Sequence, residues 1–254
     1  MREEQTQLNK PRGIFPGAAL KERLLFSNDA CMVINKLPGE SSESINMPGE
    51  KYLVPVHRLD VPVSGCLLLA RNPEAAAFLG AAFAAHDVRV VKRYWAIIEK
   101  PPVDFTLPSS GELVHQLKEN KKANKSFSLA PNENPPSPEG RHGKPKKAVL
   151  RYRLTGEGDR YLFMEIDLVT GRHHQIRSQL AAIGLHIKGD LKYGARRSEK
   201  NGGIRLHAYS LDFPNPLAHN ETITVKAPPP VMDPLWTAFS ESYAQYLGVK
   251  NGGF

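Results

Sequence analysis

Residues 56–65, VHRLDVPVSG, crowd an imidazole at His57, a guanidinium at Arg58 and a carboxylate at Asp60 into one short stretch. A carboxylate can serve as nucleophile or base, and an arginine suits phosphate or carboxylate partners. The same Arg–Asp pair also closes many exposed turns, where it adds little stability. A second cluster lies in residues 170–194, TGRHHQIRSQLAAIGLHIKGDLKYG. Its spacing predicts a helix over 172–183, stopped by Gly184, with Ile176, Leu180 and Ile183 on one face. Arg177 then falls on the edge of that stripe, beside His173 and Leu180. A partly buried guanidinium needs an anion, since an unpaired charge there costs roughly 3 to 5 kcal/mol. Asp60 is the obvious unclaimed carboxylate; Asp167, Asp190 and solvent are the alternatives. His173 and His174 would point about 100° apart on a helix, and no third ligand sits at suitable spacing. They argue for phosphate contact or helix N-terminal polarity rather than a metal.

The elements that must position these groups are legible in outline. Leu53, Val54 and Val56 read as a strand leading into the first cluster. Pro62 and Ser64-Gly65 read as a loop before the apolar run over 66–69. Strand-like patterning starts at Leu24, and the run over 31–34 ends in a Pro38-Gly39 turn. Asn72-Pro73-Glu74 supplies an N-cap, a first-turn proline and a first-turn acid for an Ala-rich helix to about Ala85. VVKRYWAIIEK, residues 90–100, alternates and is β-branched enough for a strand. From Ala148, AVLRYRL and RYLFMEIDLVTG form two antiparallel strands joined through Gly156 and Gly158. Mixed strands with few helices indicate an α/β or α+β fold on a largely antiparallel sheet. Residues 1–20 read as a loosely attached arm, and 21–254 as one domain. Residues 118–147, dense in Lys, Asn, Pro and Ser, read as a basic insertion that is either mobile or RNA-facing.

The chain carries 34 Lys and Arg against 26 Asp and Glu over 254 residues, a net charge of +8 that suits a polyanionic partner. Its two cysteines, Cys31 and Cys66, sit in apolar runs and read as core thiols of a reducing compartment. No apolar run approaches the roughly 18 residues of a membrane span, and the acidic start is unlike a targeting peptide. The expectation is a cytoplasmic protein, monomeric and without membrane contact. The sequence lacks a G-x-S-x-G elbow, a Walker loop and an H-E-x-x-H helix, which weighs against several rival enzyme classes.

VHRLDVPVSGCLLLARN, KRYWAII, TGRHHQIRSQLAAIGLHIKGDLKYG and RLHAYSLDFPNP occur in the order and with the spacing of the RluA family of RNA pseudouridine synthases. The chain resembles that family over about 24–216. It departs at Val61, Val63, Gln179 and His186, which bears on substrate choice more than on activity. The resemblance implies the pseudouridine synthase fold, a bent mixed sheet flanked by helices and loops. Ahead of the first motif the expectation is that there is no room for the separate small RNA-binding domain that many relatives carry. The implied activity is isomerisation of uridine to pseudouridine in a stem-loop of tRNA or ribosomal RNA, with no cofactor and no metal. The alternative from another class is an RNA-binding or assembly factor that uses the same groove without turnover. Under the resemblance Asp60 is the catalytic aspartate and Tyr94 stacks on the extracted uracil. Arg177 pairs with Asp60, Arg58 enters the RNA stack where the base was, and Leu206 lies under the base. His57, Arg172 and His174 join the RNA-contacting set, although residue chemistry alone makes His57 a core-edge histidine bonded to backbone.

Overall fold

A computed structural model of the chain describes residues 20–101, 105–129 and 144–251. The strands are β1 (Leu24–Ser27), β2 (Cys31–Lys36), β3 (Val54–Pro55), β4 (Ser64–Ala70), β5 (Val91–Glu99), β6 (Ser110–Asn120) and β7 (Lys125–Leu129). They continue with β8 (Lys146–Glu157), β9 (Tyr161–Leu168), β10 (His186–Ile187), β11 (Leu206–Asn215) and β12 (Ala218–Lys226). The helices are α1 (Pro73–Ala84), α2 (Gln175–Ala182) and α3 (Pro234–Asn251). All described strands join one sheet with the order β1-β2-β4-β11-β5-β9-β8-β6-β7; β3 adds to β4, β10 to β5 and β12 to β11. Only the β4–β11 pairing is parallel among the described residues, so the sheet is mixed and largely antiparallel, as expected.

Both faces of the central strands are covered. Tyr94, Ala96 and Ile98 of β5 point to one face, packed with Met164 and Ile166 of β9 and with Ile176 and Leu180 of α2. Trp95 and Ile97 point to the other, against Trp236 and Phe239 of α3. The 90–100 segment is therefore buried on two sides at its centre, which is why its apolar run is nearly continuous. On β2 and β4 the second face carries Cys31, Val33, Cys66 and Leu68 against Leu79 of α1. Burial pushes the two thiols up, Cys31 to about 11 and Cys66 to about 12, as fits inert core cysteines. Asn72 caps α1 as expected, its side chain accepting from the Ala75 N–H at 2.8 Å.

Several expectations change or fall partly outside the described residues. The strand before the first cluster is two residues long rather than spanning 53–56. The 118–147 segment is not structureless where it is described: the end of β6 pairs with β7 in a hairpin, Ser126 is buried, and β8 resumes at Lys146, ahead of Ala148. Of the predicted arm only Leu20 is described; it begins a 3-10 turn and packs on the core, while residues 1–19 and 130–143 lie outside the described residues. The helix predicted over 172–183 begins at Gln175, because His174 takes a left-handed conformation with φ of 51°. Arg172 instead starts a turn, its N–H held by the Gln175 side chain at 3.0 Å and its carbonyl by the Gln175 N–H at 3.1 Å.

Gly65 lies inside β4 rather than in the preceding loop, at φ +117°. A Cβ there would stand 2.3 Å from the Ala208 carbonyl oxygen, at the start of the parallel β4–β11 contact. Neither backbone can retreat without breaking that pairing. Gly65→Ala should cost about 3 kcal/mol or more, from the strained φ and the collision together. A urea titration checks this; an unchanged midpoint would show that the pairing yields easily.

Candidate active site

The loop over 56–63 joins β3 to β4 and carries Arg58 and Asp60. It is gripped on both sides of Asp60 by the end of β2 and the segment that follows it. The Ser42 hydroxyl accepts the Leu59 N–H at 3.0 Å and lies 3.1 Å from the Leu59 carbonyl. The Val61 carbonyl accepts the Gly39 N–H at 2.8 Å and the Lys36 ammonium at 3.3 Å. Lys36 is fully buried and also donates to the carbonyls of Leu37 and Glu40, both at 2.9 Å. Its burial pulls its pKa down to about 8, against the pull of Glu40. With Leu59 and Val61 both held, Asp60 is left few ways to move.

Asp60 does meet Arg177. One carboxylate oxygen, Oδ2, accepts from Arg177 Nη1 at 3.1 Å. The alternative partner Asp190 is also present and is the tighter one: Arg177 Nε and Nη2 donate to its two oxygens at 2.7 and 2.8 Å. Asp167, the other alternative, pairs with Arg153 and Arg93. Arg177 therefore bridges a buried carboxylate, Asp190 at 1 % side-chain exposure, and a reachable one, Asp60 at 23 %. The two-pronged bond to Asp190 fixes the guanidinium plane and leaves Nη1 aimed at Asp60. The ring of Tyr193 lies 4.9 Å from the guanidinium carbon and completes its seat.

His173 and His174 do not diverge as they would on a helix. The left-handed turn at His174 stacks the two rings 3.8 Å apart. His174 is buried, with Nδ1 3.0 Å from the Tyr193 hydroxyl and Nε2 3.7 Å from Asp60 Oδ2. Burial first, then the charge of Arg177, hold its pKa down to about 3, so the ring stays neutral beside the carboxylate. The Tyr193 hydroxyl also accepts the Ser126 N–H at 2.8 Å, which ties the β6–β7 hairpin to the site.

Tyr94, on the cleft face of β5, is 7 % exposed, and burial together with the charge of Asp60 raises its hydroxyl above the usual phenol range. Leu206, at the start of β11, is buried opposite Ala96 and lines the same cleft. Arg58 stands at the open rim, its side chain 69 % exposed and 3.2 Å from Glu43. Arg172 reaches the Lys147 carbonyl at 3.2 Å. The His57 Nε2 accepts the Leu68 N–H at 3.1 Å and its ring stacks on Phe83 at 5.1 Å. Burial and the nearby charge of Lys92 push it down to about 3, the arrangement of a core-edge histidine.

All eight residues singled out from the sequence, Asp60, Tyr94, Arg177, Arg58, His57, Arg172, His174 and Leu206, line one cleft of about 960 Å³. Sequence reasoning missed Ser42, Lys36 and Tyr193. The only signal near the first two was the Pro38-Gly39 turn. Tyr193 lay inside a quoted motif without a role.

The sequence matches the model of the RNA pseudouridylate synthase family over residues 8–182. An uncharacterized RNA pseudouridine synthase of Zymomonas mobilis is 31 % identical over 226 residues, covering 83 % of this chain and 95 % of that protein. The tRNA pseudouridine synthase C of Haemophilus ducreyi is 28 % identical, covering 84 % of this chain and 92 % of the relative. The solved structure of human RNA pseudouridylate synthase domain containing 1 superposes with a TM-score of 0.68 at 21 % identity. It covers 94 % of this chain and 98 % of its own, which shows the shared fold. With a family match across more than half its length and a relative above 30 % identity, this chain belongs to the RNA pseudouridylate synthase family.

Proposed function

We propose that this cleft isomerises a uridine in a stem-loop of tRNA or ribosomal RNA, and that Asp60 is the group that starts the reaction. The observation that carries this reading is a partly exposed carboxylate, clamped through its backbone neighbours and paired with an immobilised arginine, in the same cleft as Tyr94 and Leu206. Asp60 acts on the flipped nucleotide, the bond from N1 of the base to the ribose breaks, the uracil turns and rejoins the ribose through carbon-5, and carbon-5 then gives up its proton while N1 takes one up. Tyr94 offers its ring to the base and, with its raised pKa, remains a neutral phenol throughout. Leu206 closes the apolar side of the base. Arg58, held among the described residues by an exposed contact to Glu43, is free to swing into the RNA stack at little cost. Arg172 and His174 shape the wall opposite. The rearrangement is internal to one nucleotide, so it calls for no redox partner or group donor.

The protein acts in this reading as a cytoplasmic monomer, with residues 21–254 as one catalytic domain. The name and near end-to-end match of the Haemophilus ducreyi relative support tRNA as the first RNA to examine. The test is to map pseudouridines in cellular RNA with and without this chain, then to treat the unmodified RNA with purified protein. A defined site should vanish from the deficient cells and return in vitro. If no site depends on the chain in either setting, the reading fails.

A further inference from the structure

Five lysines and arginines line the cleft: Arg58, Lys92, Arg172, Arg177 and Lys192. Four have partners. Arg58 meets Glu43, Arg172 the Lys147 carbonyl, Arg177 its two aspartates and Lys192 the Asn124 carbonyl at 3.0 Å. Lys92 alone among them has no hydrogen-bond or ion-pair partner for its ammonium among the described residues, although it is partly buried on β5. The other lysines drawn into the fold behave differently: Lys36 is caged by carbonyls, and Lys188 pairs with Glu199. Burial pulls the pKa of Lys92 below the ordinary lysine value, with no neighbouring anion to restore it. An ammonium left like this in a polyanion-binding cleft is a vacant half of an ion pair.

Its position says which anion. Lys92 and Tyr94 are two residues apart on one strand and so share a face, about 7 Å apart along it. That is the scale of one nucleotide, from base to backbone. The Lys92 ammonium lies beside Gly171, where a Cβ would stand 3.5 Å away, so bare backbone leaves the approach open. We propose that Lys92 binds a phosphate flanking the flipped uridine, anchoring the backbone of the nucleotide whose base rests on Tyr94. This deepens the reading above and depends on it for the place of the base. A phosphate there completes the ion pair that the free protein lacks.

The test compares the parent with Lys92→Met and Lys92→Arg, using a labelled RNA stem-loop that contains the mapped uridine. Binding is measured by anisotropy across a salt series. Lys92→Met should weaken binding about tenfold, the scale of one charge-assisted hydrogen bond, and lower the slope of log K against log salt by about 1. Lys92→Arg should keep most of both. Its melting temperature should hold or rise in Lys92→Met, since an uncompensated charge is removed; a clear fall would mark Lys92 as structural and overturn the proposal. A neutral methylphosphonate placed 5′ or 3′ of the uridine locates the contact. At one of the two positions it should weaken the parent by the same factor and Lys92→Met no further. If both substitutions add fully to Lys92→Met, the lysine meets a different phosphate and the proposal falls. These are binding readouts, and repeating them in an Asp60→Asn background keeps them separate from whether Asp60 carries the chemistry.

Discussion

Asp60→Asn should abolish pseudouridine formation, a loss on the order of 10⁴-fold or more, the scale of removing a nucleophile, while the protein folds as before. The two halves of this expectation rest on different parts of one network. The carboxylate is lost, but asparagine keeps an oxygen where Arg177 Nη1 donates at 3.1 Å. Arg177 also stays neutralised, because its two-pronged bond to buried Asp190 is untouched. The backbone on either side remains gripped by Ser42 and Lys36. Stability should therefore change by less than about 1 kcal/mol, as for a partly exposed site with its neighbours satisfied. Single-turnover rates on the mapped RNA and a urea titration measure the two quantities. Turnover within tenfold of the parent would remove Asp60 from the chemistry. An unfolded variant would show that Asp190 alone does not compensate the arginine.

Why Asp60 and Arg177 were legible as a pair while Asp190 stayed an alternative is a matter of what periodicity can see. The phase of Ile176 and Leu180 put Arg177 at the edge of the apolar stripe, and a buried cation must find an anion. That argument survived the helix starting three residues late, since the phase of its core positions did not move. It could not rank two carboxylates, because the choice depends on the turn over 187–195, where the Tyr193 and Ala195 N–H groups fold back onto the Asp190 carbonyl. The grip of Ser42 and Lys36 was invisible for a related reason: their bonds go to backbone groups and leave no pattern in side-chain type. The tip of the β6–β7 hairpin carries no strand signal in the sequence because strand pairing, not apolar content, holds it. Leu117 and Ser126 are the hairpin's buried residues, while Lys125 lies over the Tyr193 ring and Asn124 meets His173 at the cleft. Gly65 marked a special backbone position, yet whether the need was a turn or a close approach to Ala208 required the neighbouring strand.

Arg177→Met should be both inactive and strongly destabilised, and a paired substitution separates the two effects. Removing the guanidinium strands Asp190, 1 % exposed, without a cation, at a cost of about 3 to 5 kcal/mol. Activity falls about a hundredfold or more, because Asp60 loses the charge that steadies it. A structural role alone would make the second loss a consequence of the first. In Arg177→Met combined with Asp190→Leu no buried carboxylate is left stranded at this site, and apolar groups of similar shape fill the space. Exchanging a whole buried ion pair for apolar side chains is often neutral in stability, whereas breaking it from one side is not. The Asp190 side chain makes no cap bond to its own turn, so its carboxylate has no second duty there. The double variant should thus regain most of the lost stability in urea and remain as slow as the single variant at saturating RNA. Stability and rate should part company: the second substitution restores the first and leaves the second where Arg177→Met put it. Recovery of turnover along with stability would mean that Arg177 serves the fold and not Asp60. A double variant no more stable than Arg177→Met would show instead that the cost lies in lost packing against Tyr193.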